Sequence, residues 1–197
     1  MKQDIIKIFD DSAKLKVLFA KEYADMIIEV VGVLARAFAT GNKVLLFGNG
    51  GSASDASHIA GEFVNRFILE RPALPAIALN TDMAVMSSIA NDYDYSEVFA
   101  RQVKALGQEG DIAIGISTSG TSPNVVKAMS AAKDLGMKTI VLTGNKNKGG
   151  KLASMADYAF VVPSSETPRV QEVHITLGHV ICQKVDEELF GSGAKKG

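Results

Sequence analysis

The sequence predicts an α/β fold, a three-layer sandwich in which a five-stranded parallel sheet lies between two layers of helices. Five short apolar runs are continuous rather than alternating, which is typical of strands that are buried on both faces of a parallel sheet. Stretches with helical periodicity separate these runs, and such alternation predicts right-handed crossovers. The strands are predicted at 43–47, 75–79, 111–116, 138–143 and 158–162.

Helices are predicted before, between and after these strands. Residues 1–39 carry apolar side chains at steps of three and four, which predicts a long N-terminal helix, and Gly41 is placed to cap its end. Residues 168–190 form a second long amphipathic pattern. The helices between the strands are predicted at 52–68, 84–90, 95–107, 122–135 and 148–155.

Composition and charge limit the classes of function. The chain has 197 residues, of which 47% are apolar and 22% charged, so we expect a single domain at 1–190 followed by a disordered tail at 191–197. The net charge of −1, with basic residues scattered along the chain, argues against a nucleic-acid partner. No apolar run approaches the roughly 20 residues that span a bilayer, so no membrane partner is expected.

The cysteine content and the first residues predict the compartment. Cys182 is the only cysteine, so no internal disulfide can form, and its apolar neighbours predict packing in a buried helix face. The N-terminal stretch lacks the apolar centre of a signal peptide. We therefore expect a cytoplasmic protein.

A glycine-rich segment, Gly48-Asn49-Gly50-Gly51-Ser52, follows the first strand, where ligands of open α/β sheets bind. It fits the dinucleotide pattern G-x-G-x-x-A, but Asn80 stands where a ribose-binding acid should close the second strand. It is not a Walker loop, because no Gly-Lys-Ser/Thr follows. The remaining interpretation is a backbone cradle for a small polyol or its phosphate, with Ser52 also serving as the helix N-cap.

The segment after the third strand is crowded with hydroxyl groups. It reads Ser117-Thr118-Ser119-Gly120-Thr121-Ser122-Pro123-Asn124 and precedes a helix. Free N–H groups at a helix start, together with hydroxyl donors, form an anion site without any lysine. The alternative is a capping segment with Ser122 at the N-cap and Pro123 at the first helical position, but capping requires one such residue and not five. A phosphate site is therefore predicted here.

Acidic and imidazole groups follow the glycine segment. His58, Glu62 and Arg66 are spaced at i, i+4 and i+8, which predicts that they share one helix face, and the last helix carries His174 and His179. A carboxylate and an imidazole beside a phosphate cradle suit aldose–ketose isomerisation, which needs a base to remove a proton next to a carbonyl and an acid to protonate its oxygen. The same side chains could instead hold zinc, which also polarises carbonyls.

Gln171 lies eight residues before His179 on the last predicted helix. The two positions are about 12 Å apart along a straight helix. Both side chains could reach one ion only with strain or with help from another chain. This spacing predicts a site at a subunit interface.

Four segments carry a family resemblance: GNGGSASDASHIAGEF, IANDY, GISTSGTSPNV and RVQEVHITLGH. Together, in this order and spacing, they resemble the sugar isomerase (SIS) domain family and, within it, the phosphoheptose isomerases. The resemblance runs from the N-terminal helix to about Phe190 and implies a flavodoxin-like fold.

The resemblance also implies an activity. Members of that family convert sedoheptulose 7-phosphate to D-glycero-D-manno-heptose 7-phosphate through an enediol, the first step toward the heptose of lipopolysaccharide. It implies Glu62 as the base, His179 as its acid partner, and a homotetramer with active sites at its interfaces and one zinc ion per subunit. The implied zinc ligands are His58, Glu62, Gln171 and His179. The implied substrate contacts are Asn49, Gly50, Gly51, Ser52, Glu62, Arg66, Asn91, Asp92, Ser117, Thr118, Ser119, Ser122 and Gln171.

One position departs from the resemblance, and two other functions compete with it. Pro168 stands where some relatives have an acidic residue, so any role of that acid would be vacant here or would pass to Glu166 or Thr167. The competing functions are a non-catalytic SIS scaffold that binds the replication initiator DnaA and a sugar-phosphate sensor. A scaffold has no need for Glu62 and His179, whose presence favours an enzyme.

Overall fold

A computed structural model describes residues 1–191 of the chain, apart from the side chains of 146 and 147. Five parallel strands form one sheet in the order β2-β1-β3-β4-β5, which confirms the predicted sheet and its flavodoxin-like order. The strands are β1 (Val44–Gly48), β2 (Ala76–Ala78), β3 (Ile112–Ser117), β4 (Lys138–Gly144) and β5 (Tyr158–Val162).

Seven α-helices surround the sheet within the described residues, and they include every helix that the sequence predicts. They are α1 (Lys2–Ala39), α2 (Gly51–Val64), α3 (Met83–Asp92), α4 (Val98–Leu106), α5 (Pro123–Asp134), α6 (Gly150–Met155) and α7 (Thr167–Phe190). Two predicted bounds are wrong: the helix predicted at 52–68 ends at Val64, and the one predicted at 95–107 begins as a short 3-10 turn. The tail predicted to be disordered lies, after Gly191, outside the described residues.

The helices form one layer on each face of the sheet, as predicted. Alternate side chains of β1 point to opposite faces, so Leu46 packs against α1, α2 and α7 while Phe47 packs against α4 and α5. Both faces of β1 and β3 are buried along their whole length, which explains why their apolar runs do not alternate. Cys182 of α7 lies in the core that α7 forms with α1 and α2, and burial there raises the pKa of its thiol to about 12.

The long helix α1 lies alongside α7, yet it leaves large apolar side chains in solvent. Phe9 is 73% exposed and Ile28 is 69% exposed. A groove lined by small and branched residues of α1 and by the C-terminal half of α7 runs past Ile28. Within residues 1–191, no helix is both long enough and apolar enough to cross a bilayer.

Candidate active site

A cavity of about 260 Å³ lies at the carboxyl edge of the sheet, between the ends of β1 and β3. These neighbouring strands are the point at which the strand order reverses, where open α/β sheets place their ligands. We call it the serine cavity. Eight of its ten lining residues are predicted substrate contacts. The lining residues are Asn49, Gly51, Ser52, Ile116, Ser117, Thr118, Ser119, Ser122, Thr167 and Gln171.

The hydroxyl groups of the serine cavity bond to one another. The Oγ atom of Ser117 lies 2.9 Å from that of Ser122 and 3.3 Å from that of Ser119. Ser122 occupies the N-cap position of α5 and Pro123 the first helical position, but the Ser122 side chain makes no capping hydrogen bond. Its hydroxyl is therefore available to the cavity. Since none of the described side chains that line this cavity is cationic, an anion would be held there by hydroxyl and N–H groups.

The glycine segment ends β1 and starts α2 with a sharp turn. Gly50, with φ +55° and ψ −123°, is the N-cap of α2, so the prediction that Ser52 caps this helix is wrong. A positive φ favours glycine, because a side chain there would clash with the backbone. Ser52 is instead buried in the first turn of α2, where it lines the serine cavity. Gly50 itself is exposed and is not among the residues that line the serine cavity.

Two residues that sequence reasoning missed fix the side chain of Asn49. The Asn49 Nδ2 atom donates to Asn124 Oδ1 at 2.9 Å, and Asn124 Nδ2 donates back to Asn49 Oδ1 at 2.8 Å. The Tyr95 hydroxyl donates to the same Asn49 oxygen at 3.2 Å. Asn124 stands at the end of the hydroxyl-rich segment and is buried, which is the one sequence signal available for this pair.

The acid and imidazole groups come together within one chain. The His58 Nε2 atom lies 3.0 Å from Glu62 Oε1 and 3.4 Å from His179 Nε2, and one ligand atom from each residue lies within 4.8 Å of the others. We call these three residues the His–Glu–His cluster. A single hydrogen on His58 Nε2 can satisfy only one of its two contacts, whereas a cation would satisfy all three atoms. Two imidazoles and a carboxylate are ligands that zinc accepts, so the donor set fits this metal.

The helices α2 and α7 run side by side and in the same direction from the serine cavity to the His–Glu–His cluster. At the cavity, the amide of Gln171 packs directly over Gly51, where any Cβ atom would collide with it. Two helical turns after Gln171, Gly178 of α7 lies against Ile59 of α2. The helices can approach this closely because glycine has no Cβ atom, which would lie 2.6 Å from Cδ1 of Ile59. The contact brings His179 of α7 to His58 of α2.

This arrangement bears on the predicted ligand Gln171. Gln171 and His179 lie on one continuous helix, α7, and Gln171 lies at the end of α7 that lines the serine cavity. The three other predicted ligands meet without a second chain. A role for Gln171 as a metal ligand therefore stays a prediction.

Three other predicted substrate contacts lie apart from the serine cavity. Arg66 does not share a helix face with His58 and Glu62, because α2 ends before it, and its Nε atom lies 3.4 Å from Glu70 on the surface. Asn91 and Asp92 lie exposed at the end of α3, where the Asn91 amide donates to the Asp92 carboxylate at 2.9 Å.

Burial separates the third histidine from the two in the cluster. His174 is buried in the core, where its Nε2–H donates to the carbonyl of Thr143 at 3.2 Å, and burial lowers its pKa to about 4. It is therefore neutral at pH 7. Asp55 lies one turn before His58, and burial raises the pKa of its carboxyl while the His58 imidazole opposes that rise.

The sequence is similar to proteins of known family. The sequence profile of the SIS domain matches residues 9–144. The chain belongs to the SIS domain family. The phosphoheptose isomerase of Thermodesulfovibrio yellowstonii is 59% identical over 192 residues, which cover 98% of this chain and 94% of that protein. The phosphoheptose isomerase of Aquifex aeolicus is 54% identical over 95% of this chain and 97% of its own.

Solved structures of this family have the same fold. Phosphoheptose isomerase from Neisseria gonorrhoeae superimposes with a TM-score of 0.88 at 38% identity, over 94% of this chain and 98% of that chain. The enzyme from Francisella tularensis gives 0.89 at 38% identity, over 94% and 97%. The predicted resemblance to the phosphoheptose isomerases is confirmed, and this family member is a sugar-phosphate isomerase.

Proposed function

We propose that this enzyme converts sedoheptulose 7-phosphate to D-glycero-D-manno-heptose 7-phosphate, with the phosphate in the serine cavity and the reacting carbonyl end at the His–Glu–His cluster. The observation that carries the proposal is the side-by-side course of α2 and α7 between the two places. The relatives that span nearly the whole chain carry the name of this activity.

The distance between the two places supports a long sugar phosphate. Gly51 and His58 are seven residues apart on α2, and Gln171 and His179 are eight apart on α7. At the rise of an α-helix, these steps correspond to roughly 10–12 Å. A seven-carbon sugar phosphate in an extended conformation can span this distance.

The chemistry needs one proton removed and one proton supplied. Glu62, which is partly buried, acts as the base on the carbon next to the carbonyl, and an enediol forms as the carbonyl oxygen receives a proton from His179. Glu62 then returns a proton to the former carbonyl carbon while the hydroxyl on the other enediol carbon gives its proton to His179, which yields the aldose and restores both side chains. The hydroxyl groups of Ser52 and Ser117, which line the serine cavity, orient the phosphate end of the bound sugar.

Zinc fits the same cluster. His58, Glu62 and His179 would hold it, with Gln171 as the further predicted ligand, and one ion per subunit would polarise the substrate carbonyl. A carboxylate has two oxygens and an imidazole two nitrogens, so binding a cation with one atom leaves the other for hydrogen bonds.

The predicted homotetramer belongs to this proposal. The exposed apolar side chains Phe9 and Ile28 on α1 provide surface that a second copy would bury. Light scattering of purified protein should give four times the chain mass. We also place the reaction in the cytoplasm, at the first step toward the heptose of lipopolysaccharide.

Proton NMR of sedoheptulose 7-phosphate in D₂O tests the activity. Purified enzyme, with added zinc and after chelation, should produce an aldoheptose phosphate carrying deuterium at C2, because the proton removed by Glu62 exchanges with solvent. Chelation should slow the reaction. Product without deuterium would keep the isomerase and exclude an exchanging base.

The same experiment distinguishes the competing functions. A DnaA-binding scaffold and a sugar-phosphate sensor require no turnover, so absence of product under both metal conditions would contradict the isomerase. A line-broadening of the substrate without product would then favour the sensor.

A further inference from the structure

The side chain of Arg71, seven residues after the end of α2, is fully buried against the last turn of that helix, although arginine is among the residues least often buried. Its Nε atom donates to the Asp186 carboxylate of α7 at 2.9 Å, and both side chains are at most 2% exposed. The other hydrogen bonds of the guanidinium go to main-chain carbonyls, those of Glu62, Phe63, Asn65 and Pro72.

These contacts join the two helices that carry the His–Glu–His cluster. The NH2 group of Arg71 donates to the carbonyl of Glu62 at 2.9 Å, so it holds the backbone of the proposed base. Asp186 lies two turns after His179 on α7. The guanidinium therefore fixes the end of α2 to the helix that supplies the proposed acid.

The chain between the end of α2 and Arg71 also touches the cluster. The ring of Phe67 stacks on the His179 imidazole, with 5.4 Å between ring centroids and 28° between their planes. Because Arg71 bonds to the carbonyls of Asn65 and Pro72, it closes this segment into a fixed loop. Phe67 is held in place by that loop.

We propose that Arg71 is a positioning residue that aligns Glu62 with His179 through its contacts to α2, to Asp186 and to the loop that carries Phe67. The proposal rests on the proposed isomerase function. Stability alone is a poor reason for this arrangement, because a buried ion pair can often be replaced by apolar side chains without loss of stability. Alignment of two helices requires the directional fork that only arginine provides.

The test compares Arg71→Lys with a control variant that disrupts a different ion pair, one that involves a buried carboxylate outside the cluster. Lysine keeps the charge but cannot reach Asp186 and several carbonyls at once. The control is Lys43→Met, which breaks the 2.6 Å ion pair between Lys43, just before β1, and the buried Asp111, just before β3. We expect Arg71→Lys to lower kcat by about 10–100-fold with little change in KM, and to weaken zinc binding by a similar factor.

Three outcomes would overturn the proposal. One is an Arg71→Lys enzyme whose kcat and zinc affinity match those of Lys43→Met at equal loss of thermal stability. If Arg71→Lys does not fold, Phe67→Leu leaves the ion pair intact and should still lower both quantities; wild-type values would contradict the inference. If the wild-type enzyme has no turnover, the proposed function fails, and zinc affinity alone tests the positioning role. That role is contradicted if Arg71→Lys binds zinc as tightly as the wild type, or if the wild type binds no zinc.

Discussion

Amide side chains can replace both reacting groups of the cluster: glutamine differs from Glu62 by one atom, and at His179 it puts a carboxamide where the imidazole was. Glu62→Gln and His179→Gln keep size and hydrogen bonding but cannot take or give the proton. We expect each to lower kcat by a factor on the order of 10² to 10⁴, while the thermal unfolding midpoint stays close to that of the wild type. Glu97→Gln, which removes a surface carboxylate paired with Lys127 at 2.7 Å, is the matched control and should keep its activity. Normal turnover in either cluster variant would remove the proposed mechanism.

Ser122 tests whether the hydroxyl segment binds substrate or merely caps a helix. Its hydroxyl makes no cap bond and faces Ser117 in the serine cavity. Ser122→Ala should therefore cost little stability but raise KM for the sugar phosphate by about tenfold, as expected when one hydrogen bond to a charged group is lost.

The stability control is a true N-cap on another helix. The Asp82 carboxylate accepts from the N–H groups of Ala84 and Val85 at 3.0 Å, so Asp82→Ala should cost about 1 kcal/mol in urea unfolding. A Ser122→Ala protein as destabilised as Asp82→Ala, with unchanged KM, would support capping instead.

At the scale of single residues, the sequence predicts chemical groups better than their partners. Hydroxyls and glycines reveal themselves by type and position, and most of those predicted line one cavity. Tyr95 and Asn124 contact Asn49 across 46 and 75 positions, and Arg71 contacts Asp186 across 115. Such pairings depend on the fold, and periodicity alone does not indicate them.

At the scale of elements, a long-range contact accounts for the difference between the predicted and the observed end of α2. The helical pattern continues to residue 68, yet α2 ends at Val64. The last carbonyls of a helix need partners, and Arg71, although distant in sequence, provides them. Because α2 ends before Arg66, this residue does not share the helix face with His58 and Glu62 that the spacing predicts.

Near the His–Glu–His cluster, the close approach of α2 and α7 depends on Gly178. In Gly178→Ala, the new Cβ atom would lie 2.6 Å from Cδ1 and 2.7 Å from Cγ1 of Ile59, and because Ile59 is buried we expect the clash to push the helices apart. We expect a loss of about 1–3 kcal/mol in the free energy of unfolding, and a fall in kcat because His179 moves away from His58. Chemical denaturation and steady-state kinetics measure the two effects.

A second glycine supplies the control for this prediction. A Cβ atom at Gly61 of α2 would meet nothing within 4 Å, so Gly61→Ala should be neutral or stabilise by about 0.5–1 kcal/mol. Shortening the opposing side chain in Gly178→Ala/Ile59→Ala should cost less than the sum of the single changes. Strict additivity would show that the two helices are not limited by this contact.

At the scale of the whole molecule, the fold could be predicted because its signals are local and repeated. Each strand is a continuous apolar run, and each is followed by a polar segment and a helical pattern, so the predicted ends of β1 to β5 lie within one residue of those observed. The order of the strands has no such local signal, and it entered through the resemblance to a known family.

Stability against pH is a property of the whole molecule that one buried side chain should control. His174 has a pKa of about 4 in the folded chain against 6.5 in an exposed histidine. Between these values the unfolded chain holds more protons than the folded one, so the free energy of unfolding falls as the pH falls from 6.5 to 4. The full effect is roughly 3 kcal/mol, since each pKa unit corresponds to about 1.4 kcal/mol.

Urea unfolding at several pH values, for wild type and His174→Gln, measures this contribution. Glutamine can keep the hydrogen bond to the Thr143 carbonyl but does not titrate, so the variant should lose most of the excess slope between pH 6.5 and 4. Carboxylates titrate in both proteins, and their contribution cancels in the difference. Equal slopes would mean that His174 takes up its proton at the same pH in the folded and unfolded chains, which its burial in an apolar core should prevent.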